Sequence, residues 1–309
     1  MMVSRPSRSR SRSDHNGFIV VAVLWIISAL AALAMIYATY VANAAGSIAV
    51  GNDRLQSEAL VSAALELTAY QLAAGDPAPT HGNFSFAADH VSVIAQFRSE
   101  AARIDLNRAP KELLAGLLGR LGAAPDQAKD YADNIVAWRT PPKPQGTNDE
   151  TARYLAAGLT YPPRGGPFAH VDELWLVRGL PAGLVERAIP YLTVFSGIAG
   201  INALEAAPEI IASVPGMTPD RLNAVLRQRQ MAPQDARAMA ALFDSAQVSV
   251  SKEASKATRV NVRIDFGRGR KIISEAVIAV SDDADTPYRI LSWHDGFDDP
   301  DPQPATLRP

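Results

Sequence analysis

The stretch from Gly17 to Ala45 reads GFIVVAVLWIISALAALAMIYATYVANAA, and its interpretation decides the rest. It holds no charged residue, and the uncharged run extends to Asn52. One helix of that length crosses the ~30 Å hydrocarbon layer of a bilayer. Immediately before it stands SRPSRSRSRSDHNG, with Arg5, Arg8, Arg10 and Arg12. Positive charge flanking the first apolar segment holds that end in the cytoplasm, so the body after the helix is expected on the far side.

Three readings of the stretch compete. A secretory signal has an apolar region of about 7 to 15 residues and a small-residue cleavage site, which Ala42-Asn43-Ala44 would supply, but Phe18 to Val41 is too long for that pattern. A plain single-pass anchor fits the length and leaves the short Arg/Ser leader unexplained. A Gly-Phe junction where charge gives way to hydrocarbon looks like a prepilin-peptidase site, cut on the cytoplasmic face between Gly17 and Phe18 with the apolar helix retained.

Composition narrows the function classes. The chain has 309 residues, no cysteine and a formal charge of -2. Disulfides, thiolate metal sites and cysteine nucleophiles are excluded. The leader through Gly17 carries four Arg against one Asp, so the remainder carries -5. A body of that charge has no basic excess to recommend nucleic acid as a partner.

Outward from the apolar run, Asn52 to Ala74 continues at helical period. Leu60, Val61, Ala64, Leu65, Thr68 and Leu72 share one face, and Glu58, Ser62 and Glu66 another. Gly75-Asp76-Pro77 ends it. Phe84 and Phe86, then Val91, Val93, Ala95 and Phe97, alternate as strands, with Ile94 out of pattern and an end near Ile104 to Leu106. A helical stretch comes next. Leu113, Leu114, Leu117, Leu118 and Leu121 share a face, with Pro110 in the first turn, and Pro125 opens a helix ending at Trp138-Arg139. Residues 140–167 read as a Pro/Gly-rich loop around a short helix near Glu150 to Ala157. Further helices are expected at Val171 to Arg178, Leu184 to Tyr191, Ala207 to Val214, Pro219 to Arg229 (capped by Thr218) and Pro233 to Phe243. Strands return as a hairpin, Val260 to Phe266 and Lys271 to Val280, with a third at Tyr288 to Trp293.

This order predicts an α+β fold. A long N-terminal helix packs on an antiparallel sheet, and an all-α region of the SAM or helix-hairpin-helix kind is inserted into the sheet. The expected segments are a leader (1–17), a membrane and spine helix (18–74), a first β part (82–106), the helical insert (107–245), a second β part (246–295) and a loose tail (296–309). The insert contains an echo: Ile104-Asp105-Leu106-Asn107-Arg108-Ala109-Pro110 and Ile201-Asn202-Ala203-Leu204-Glu205-Ala206-Ala207 each precede helix, Gly-containing turn and helix. Such units bind phosphate in some DNA-binding proteins. Here Arg178 and Arg221 are matched by Glu186 and Asp220, which favours plain helix packing.

Catalytic patterns are lacking. The histidines are His15, His81, His90, His170 and His294, and no two have the spacing of H-E-x-x-H. His170 and Asp172 fit a helix-start pair, although a membrane-anchored hydrolase would use them. There is no Walker loop and no G-x-S-x-G elbow. Asp282, Asp283 and Asp285 are the weak candidates for a hard cation such as calcium; they miss the EF-hand pattern and read as a solvated loop.

With the whole order in view, the chain resembles the general secretion pathway protein K family, the largest minor pseudopilins of type II secretion systems. The resemblance rests on Gly17-Phe18 with its apolar run, Arg103-Ile104-Asp105-Leu106-Asn107-Arg108-Ala109, Ile135-Val136-Ala137-Trp138-Arg139, Val171-Asp172-Glu173-Leu174-Trp175-Leu176-Val177-Arg178-Gly179 and Tyr191-Leu192-Thr193-Val194. Counted from Phe18, the fifth residue is Ala22, where most pilin-like proteins carry a glutamate that meets a neighbour's amino terminus. Its absence resembles protein K and suits a subunit with nothing beyond it. The resemblance implies a structural, non-enzymatic tip subunit in the inner membrane with a periplasmic body, processed by the prepilin peptidase and methylated at Phe18. It also implies minor pseudopilins I and J, other pseudopilins and the inner-membrane secretion platform as partners. Two departures stand out. The family's acidic loop, linked to calcium, is replaced after Arg139 by Thr140-Pro141-Pro142-Lys143 with only Asp149 and Glu150 beyond, and Leu204 stands where the second unit should have asparagine. An extracytoplasmic DNA-binding protein of the competence type is the alternative that the hairpin helices leave open.

Overall fold

The computed structural model describes residues 15–75, 78–88, 90–142, 149–231, 236–243, 248–249, 255–267, 270–281 and 286–296. Two units arise, residues 1–59 and 60–309. The first consists, where described, of helix α1, which runs His15–Ala74 and continues into the second. Within the first unit the apolar residues from Ile19 to Val41 find no cover, and Leu24, Trp25, Ile36 and Tyr40 are all well over half exposed.

The second unit has two cores. In one, Leu60, Val61, Ala64, Leu65, Thr68 and Leu72 of α1 are buried as the periodicity predicts, and the apolar ones pack on a five-stranded antiparallel sheet. Thr68 is accommodated there because its hydroxyl donates to Ala64 O at 2.8 Å. The first two strands are β1 (His81–Ala88) and β2 (Val91–Ser99). In β2 burial alternates strictly, so Ile94 does not break the pattern. It is an apolar residue on the outer face, 44% exposed.

The chain then leaves the sheet, earlier than expected. After Ser99 comes a 3-10 turn, Glu100–Ala102, and Ile104–Asp105 (β3) pairs in parallel with a later strand instead of with the sheet. Next are helices α2 (Lys111–Arg120), α3 (Pro125–Arg139) and α4 (Asp149–Ala156), with Pro110 standing just before α2 as its cap residue and not in its first turn. The expected helix at Val171 is a 3-10 helix, Val171–Leu176, closed by Glu173 N to His170 O and Val177 N to Leu174 O. Then come α5 (Ala182–Ala188), β4 (Leu192–Thr193, the partner of β3), β5 (Ile201–Asn202), α6 (Pro208–Ala212), α7 (Pro219–Met231), α8 (Ala236–Ala240) and β6 (Val248–Ser249). Thr218 caps α7 as expected, its Oγ1 accepting from Arg221 N at 3.3 Å. The start proposed for α8 at Pro233 lies outside the described residues.

β6 pairs in parallel with β5, inside the insert. The sheet resumes with β7 (Ala257–Asp265), β8 (Lys271–Val280) and β9 (Tyr288–Gly296), giving the order β1-β2-β7-β8-β9. Sheet pairing therefore covers residues 81–99 and 257–296, whereas the expected β parts ran to 106 and began at 246. Composition alone cannot tell a two-residue bridge that closes a helical unit from the end of a long strand.

The insert has its own core, centred on Ile104, Leu106, Leu113, Leu117, Ile135, Leu174, Leu192, Ile201 and Ile210. Its tightest point is Gly116 of α2: a Cβ there would meet Ser213 O at 2.0 Å. We expect Gly116→Ala to destabilise the protein by about 1–3 kcal/mol through overpacking. Gly119→Ala, in the same helix and meeting only Ala128 Cβ at 4.0 Å, is expected to be neutral or to gain up to about 1 kcal/mol. Urea unfolding of the two variants measures the contrast.

Candidate functional site

In the first unit the junction Gly17-Phe18 falls inside α1, close to its start at His15. The candidate membrane span is Ile19–Val41, 23 residues with no buried residue in its most apolar window. At 1.5 Å per residue that is about 35 Å, enough to cross a bilayer. Ala22 lies in this span, half-buried by its own helix. The hydroxyl of Thr39 is satisfied by Ile36 O at 2.8 Å.

In the second unit, strings far apart in sequence meet around β3. Asp105 is 1% exposed, and its carboxylate accepts from Asn107 N (2.7 Å), Gly197 N (2.7 Å) and Ser196 Oγ (3.1 Å). Asn107 pairs with the backbone of Phe168 in both directions, donating to its O at 3.0 Å and accepting from its N at 2.7 Å. Arg139, at the end of α3, donates Nη1 to Leu106 O and Nη2 to Ala109 O. Burial lowers its pKa, and the nearby Asp105 charge opposes that shift. Next to it Trp138 Nε1 donates to Glu173 Oε2 at 3.0 Å, and Glu173 Oε1 accepts from Arg164 Nη1 at 2.6 Å and Ala169 N at 3.0 Å.

The second unit of the echo repeats this device. Asn202 replaces Asp105, its Oδ1 accepting from Leu204 N at 2.9 Å, and Arg229 at the end of α7 donates Nη2 to Ala203 O and Ala206 O. These two carbonyls lie at the same shift from Leu106 and Ala109 that separates Ile201 from Ile104. The Arg229 pKa is likewise lowered by burial, against an opposing effect of Glu205. The sequence echo therefore marks two copies of one fold unit, each with an arginine clamping its first turn. The second is less complete: Asn202 Nδ2 and Arg229 Nε are buried without a partner among the described residues, and Leu204 occupies the place of Asn107.

A third group, which the sequence did not reveal, joins sheet and insert. Glu100, 1% exposed, takes Arg259 Nε on Oε1 at 2.7 Å and Arg259 Nη2 on Oε2 at 3.2 Å. Thr193 Oγ1 of β4 also donates to Oε2, and Arg259 Nη1 reaches Glu275 on β8. For Arg259, burial works to lower the pKa, but Glu100 and Glu275 together prevail and raise it. Arg259 stands on the phase of β7 opposite to the buried Val260 and Val262, yet its side chain is only 13% exposed. It is covered because the insert lies over that end of the sheet.

Other candidates from the sequence take structural roles or lie outside the described residues. His170 Nδ1 accepts from Asp172 N at 3.2 Å and caps the 3-10 helix, as the helix-start reading expected. Its ring lies 5.1 Å from that of His294. Gly179 and Gly216 take positive φ at the two hairpin turns, and Arg178 is turned inward to Asn134 Oδ1 at 2.8 Å and over the Tyr154 ring. Asp282, Asp283 and Asp285 are outside the described residues. Of the carboxylates after Arg139, Glu150 pairs with Arg153 at 2.5 Å, and the described residues contain no group of three His, Asp or Glu able to hold a metal ion.

Against known proteins, residues 95–197 match the family model described as type II secretion system protein K. No curated protein matches the chain. Among solved structures, a chain of the GspK-GspI-GspJ complex from the enterotoxigenic Escherichia coli type 2 secretion system is similar, with 17% identity and a TM-score of 0.55, covering 80% of this chain and 98% of that one.

The seam predicts a non-additive response. Glu100→Ala leaves Arg259 with its buried partner gone and should cost about 3–5 kcal/mol. The double variant Glu100→Ala/Arg259→Met should recover much of that loss in the same denaturation measurement, because the buried guanidinium is gone and Glu275, which loses it as a partner, is 35% exposed and stays solvated.

Proposed function

We infer that this chain, of which residues 95–197 match the model of type II secretion system protein K, belongs to that family and is a minor pseudopilin at the tip of the periplasmic pseudopilus. The observation that carries the reading is the order of parts. An apolar N-terminal helix leads into a sheet that is interrupted after β2 by the helical insert, and the matched residues 95–197 start in that strand and run through the insert's first unit. In this role the protein is structural, with no catalytic step of its own, and supports export of folded proteins across the outer membrane.

Its chemistry is assembly. The four leader arginines hold the N-terminus in the cytoplasm and leave the body in the periplasm. The prepilin peptidase, acting at the inner-membrane platform, cuts between Gly17 and Phe18 and methylates the new amino group. Ala22 gives the processed helix no carboxylate to offer the next subunit's amino terminus, so growth stops above it. The body then sits with minor pseudopilins I and J, in keeping with the composition of the similar complex, and other pseudopilins stand below. The helical insert adds width that a regular filament interior would not admit.

Expression with an active prepilin peptidase, then mass spectrometry, should give a mature terminus at Phe18 carrying a methyl group. A retained leader, or a start at Ala45, would overturn the processing. The processed chain should also co-purify with pseudopilins I and J and label filaments at one end only. Labelling along the whole length would overturn the tip assignment.

A further inference from the structure

The sheet face away from residues 60–72 is polar. Strand register sets Asn83, Gln96, Asn261, Glu275 and His294 side by side across all five strands. The insert meets the sheet at both of its edges, and the contact at each edge includes a histidine.

At the β1 edge, His81 Nδ1 lies 3.0 Å from Glu205 Oε1 in the entry loop of the second unit, and Thr80 Oγ1 donates to the same oxygen at 2.6 Å. Glu205 is the sheltered partner, its side chain 8% exposed against 65% for His81. Arg98 stands opposite His81 in register, Glu100, Arg103 and Arg259 border the hollow beside it, and Arg229 bears on Glu205. At the β9 edge, the ring of His170 lies 5.1 Å from that of His294, tilted by 44°. The two rings share a hollow of about 180 Å³ with Asp172, Glu275, Arg103 and Arg259.

Protonation acts on these edges with opposite sign. An imidazole gains charge as pH falls through the range of about 5 to 8. At β1 the proton turns a hydrogen bond into an ion pair with a sheltered carboxylate, so that contact is strong below this range and weakens as pH rises through it. At β9 the reverse holds. His170 Nδ1 accepts from Asp172 N at 3.2 Å, which places the proton of the neutral ring on Nε2. Once charged, Nδ1 donates to Asp172 Oδ2 at 3.0 Å, and Asp172 N loses its acceptor. A proton on His294 as well sets two cations ring against ring, beside Arg103.

The carboxylates nearby do not cancel this repulsion selectively. Asp172 travels with His170, while Glu275, opposite His294 in register, belongs to the sheet and already pairs with Arg259. Asp295 accepts from Ser274 Oγ and Trp293 Nε1 at 2.7 Å each. Each attracts its own histidine whether or not the insert touches β9, so the repulsion between the rings is what separates the two states. The β9 contact is therefore present above the imidazole range and lost as pH falls through it. We propose that the two contacts form a pH-sensitive hinge, in which acidification shifts the hold of the insert from β9 to β1. The pivot is Glu100, which binds Arg259 on β7, the central strand.

Hydrogen exchange of the full chain in detergent micelles, read by mass spectrometry at about pH 7.5 and 5.5 and corrected for intrinsic rates, follows both edges in one sample. On acidification, protection of residues 170–177 should fall about tenfold while that of residues 201–206 rises. His170→Asn keeps a capping oxygen without a titrating ring and should abolish the fall. His294→Gln leaves the cap untouched and should reduce the fall severalfold, and His81→Gln should abolish the rise. A fall that His294→Gln leaves unchanged would be loss of the cap alone and would overturn the hinge, as would a change of the same sign at both edges.

Discussion

The carboxylate of Glu100 is the interaction on which the body depends. A sheet interrupted between adjacent strands must hold its two cut ends in register while the whole insert hangs between them. Here Ser99 faces Thr258 at that cut, and Glu100 bridges Arg259 of the returning strand and Thr193 of the insert. The serines beside it complete the join, Ser99 Oγ accepting from Ser255 N at 3.0 Å and Ser255 Oγ donating to Ser196 O at 3.0 Å. Removing charges from water is costly, and such a site is stable only when each lone pair and N–H finds a partner. Both Glu100 oxygens have one, which makes the cut a defined joint.

The insert solves a second problem by duplication. A helix pair around a glycine turn buries one face and leaves its entry loop with unpaired carbonyls. In both units an arginine from the far end of the second helix returns to that loop and donates to two carbonyls three residues apart. In the first unit the planar guanidinium spans both with its two Nη atoms, which the point charge of lysine would not do as well, and in the second Nη2 alone serves both. Each unit is then closed by a two-residue parallel bridge, β3 with β4 and β5 with β6. The first unit adds Asn107, Trp138 and Glu173 to this frame, whereas the second has Leu204 at the place of Asn107 and two buried donors, Asn202 Nδ2 and Arg229 Nε, without a partner among the described residues. This explains why the echo is clear at Ile104 and faint at Ile201.

How much of this was legible depends on the range of each interaction. The spine face of α1, the alternation in β2 and β7 and the Thr218 cap depend on neighbours in sequence, and their residues announced them. The family strings were also visible, although their meaning was not: Asp105, Asn107, Trp138 and Arg139 gain their roles only when Phe168, Glu173 and Gly197 arrive from elsewhere. Glu100 and Arg259 were illegible. A carboxylate after a strand and an arginine on its outward phase look solvated, and only the covering insert buries them. The 3-10 helix at Val171 was read as α because its apolar spacing serves either winding.

The apolar helix, long enough to cross a membrane, and the body divide the work by chemistry. From Ile19 to Val41 no charged group is present, and the Thr39 hydroxyl is spent on its own helix. Such a surface packs against other apolar helices without charge pairing to fix which neighbour or which register, since in lipid every apolar face is nearly equivalent. Discrimination among partners must then come from groups that water makes costly to mismatch. In this chain those groups lie from Leu60 onward, in the polar sheet face and the insert, where an unpaired charge or a buried carbonyl penalises a wrong contact. A chain with an undemanding helix and a demanding body is selected by what its body meets.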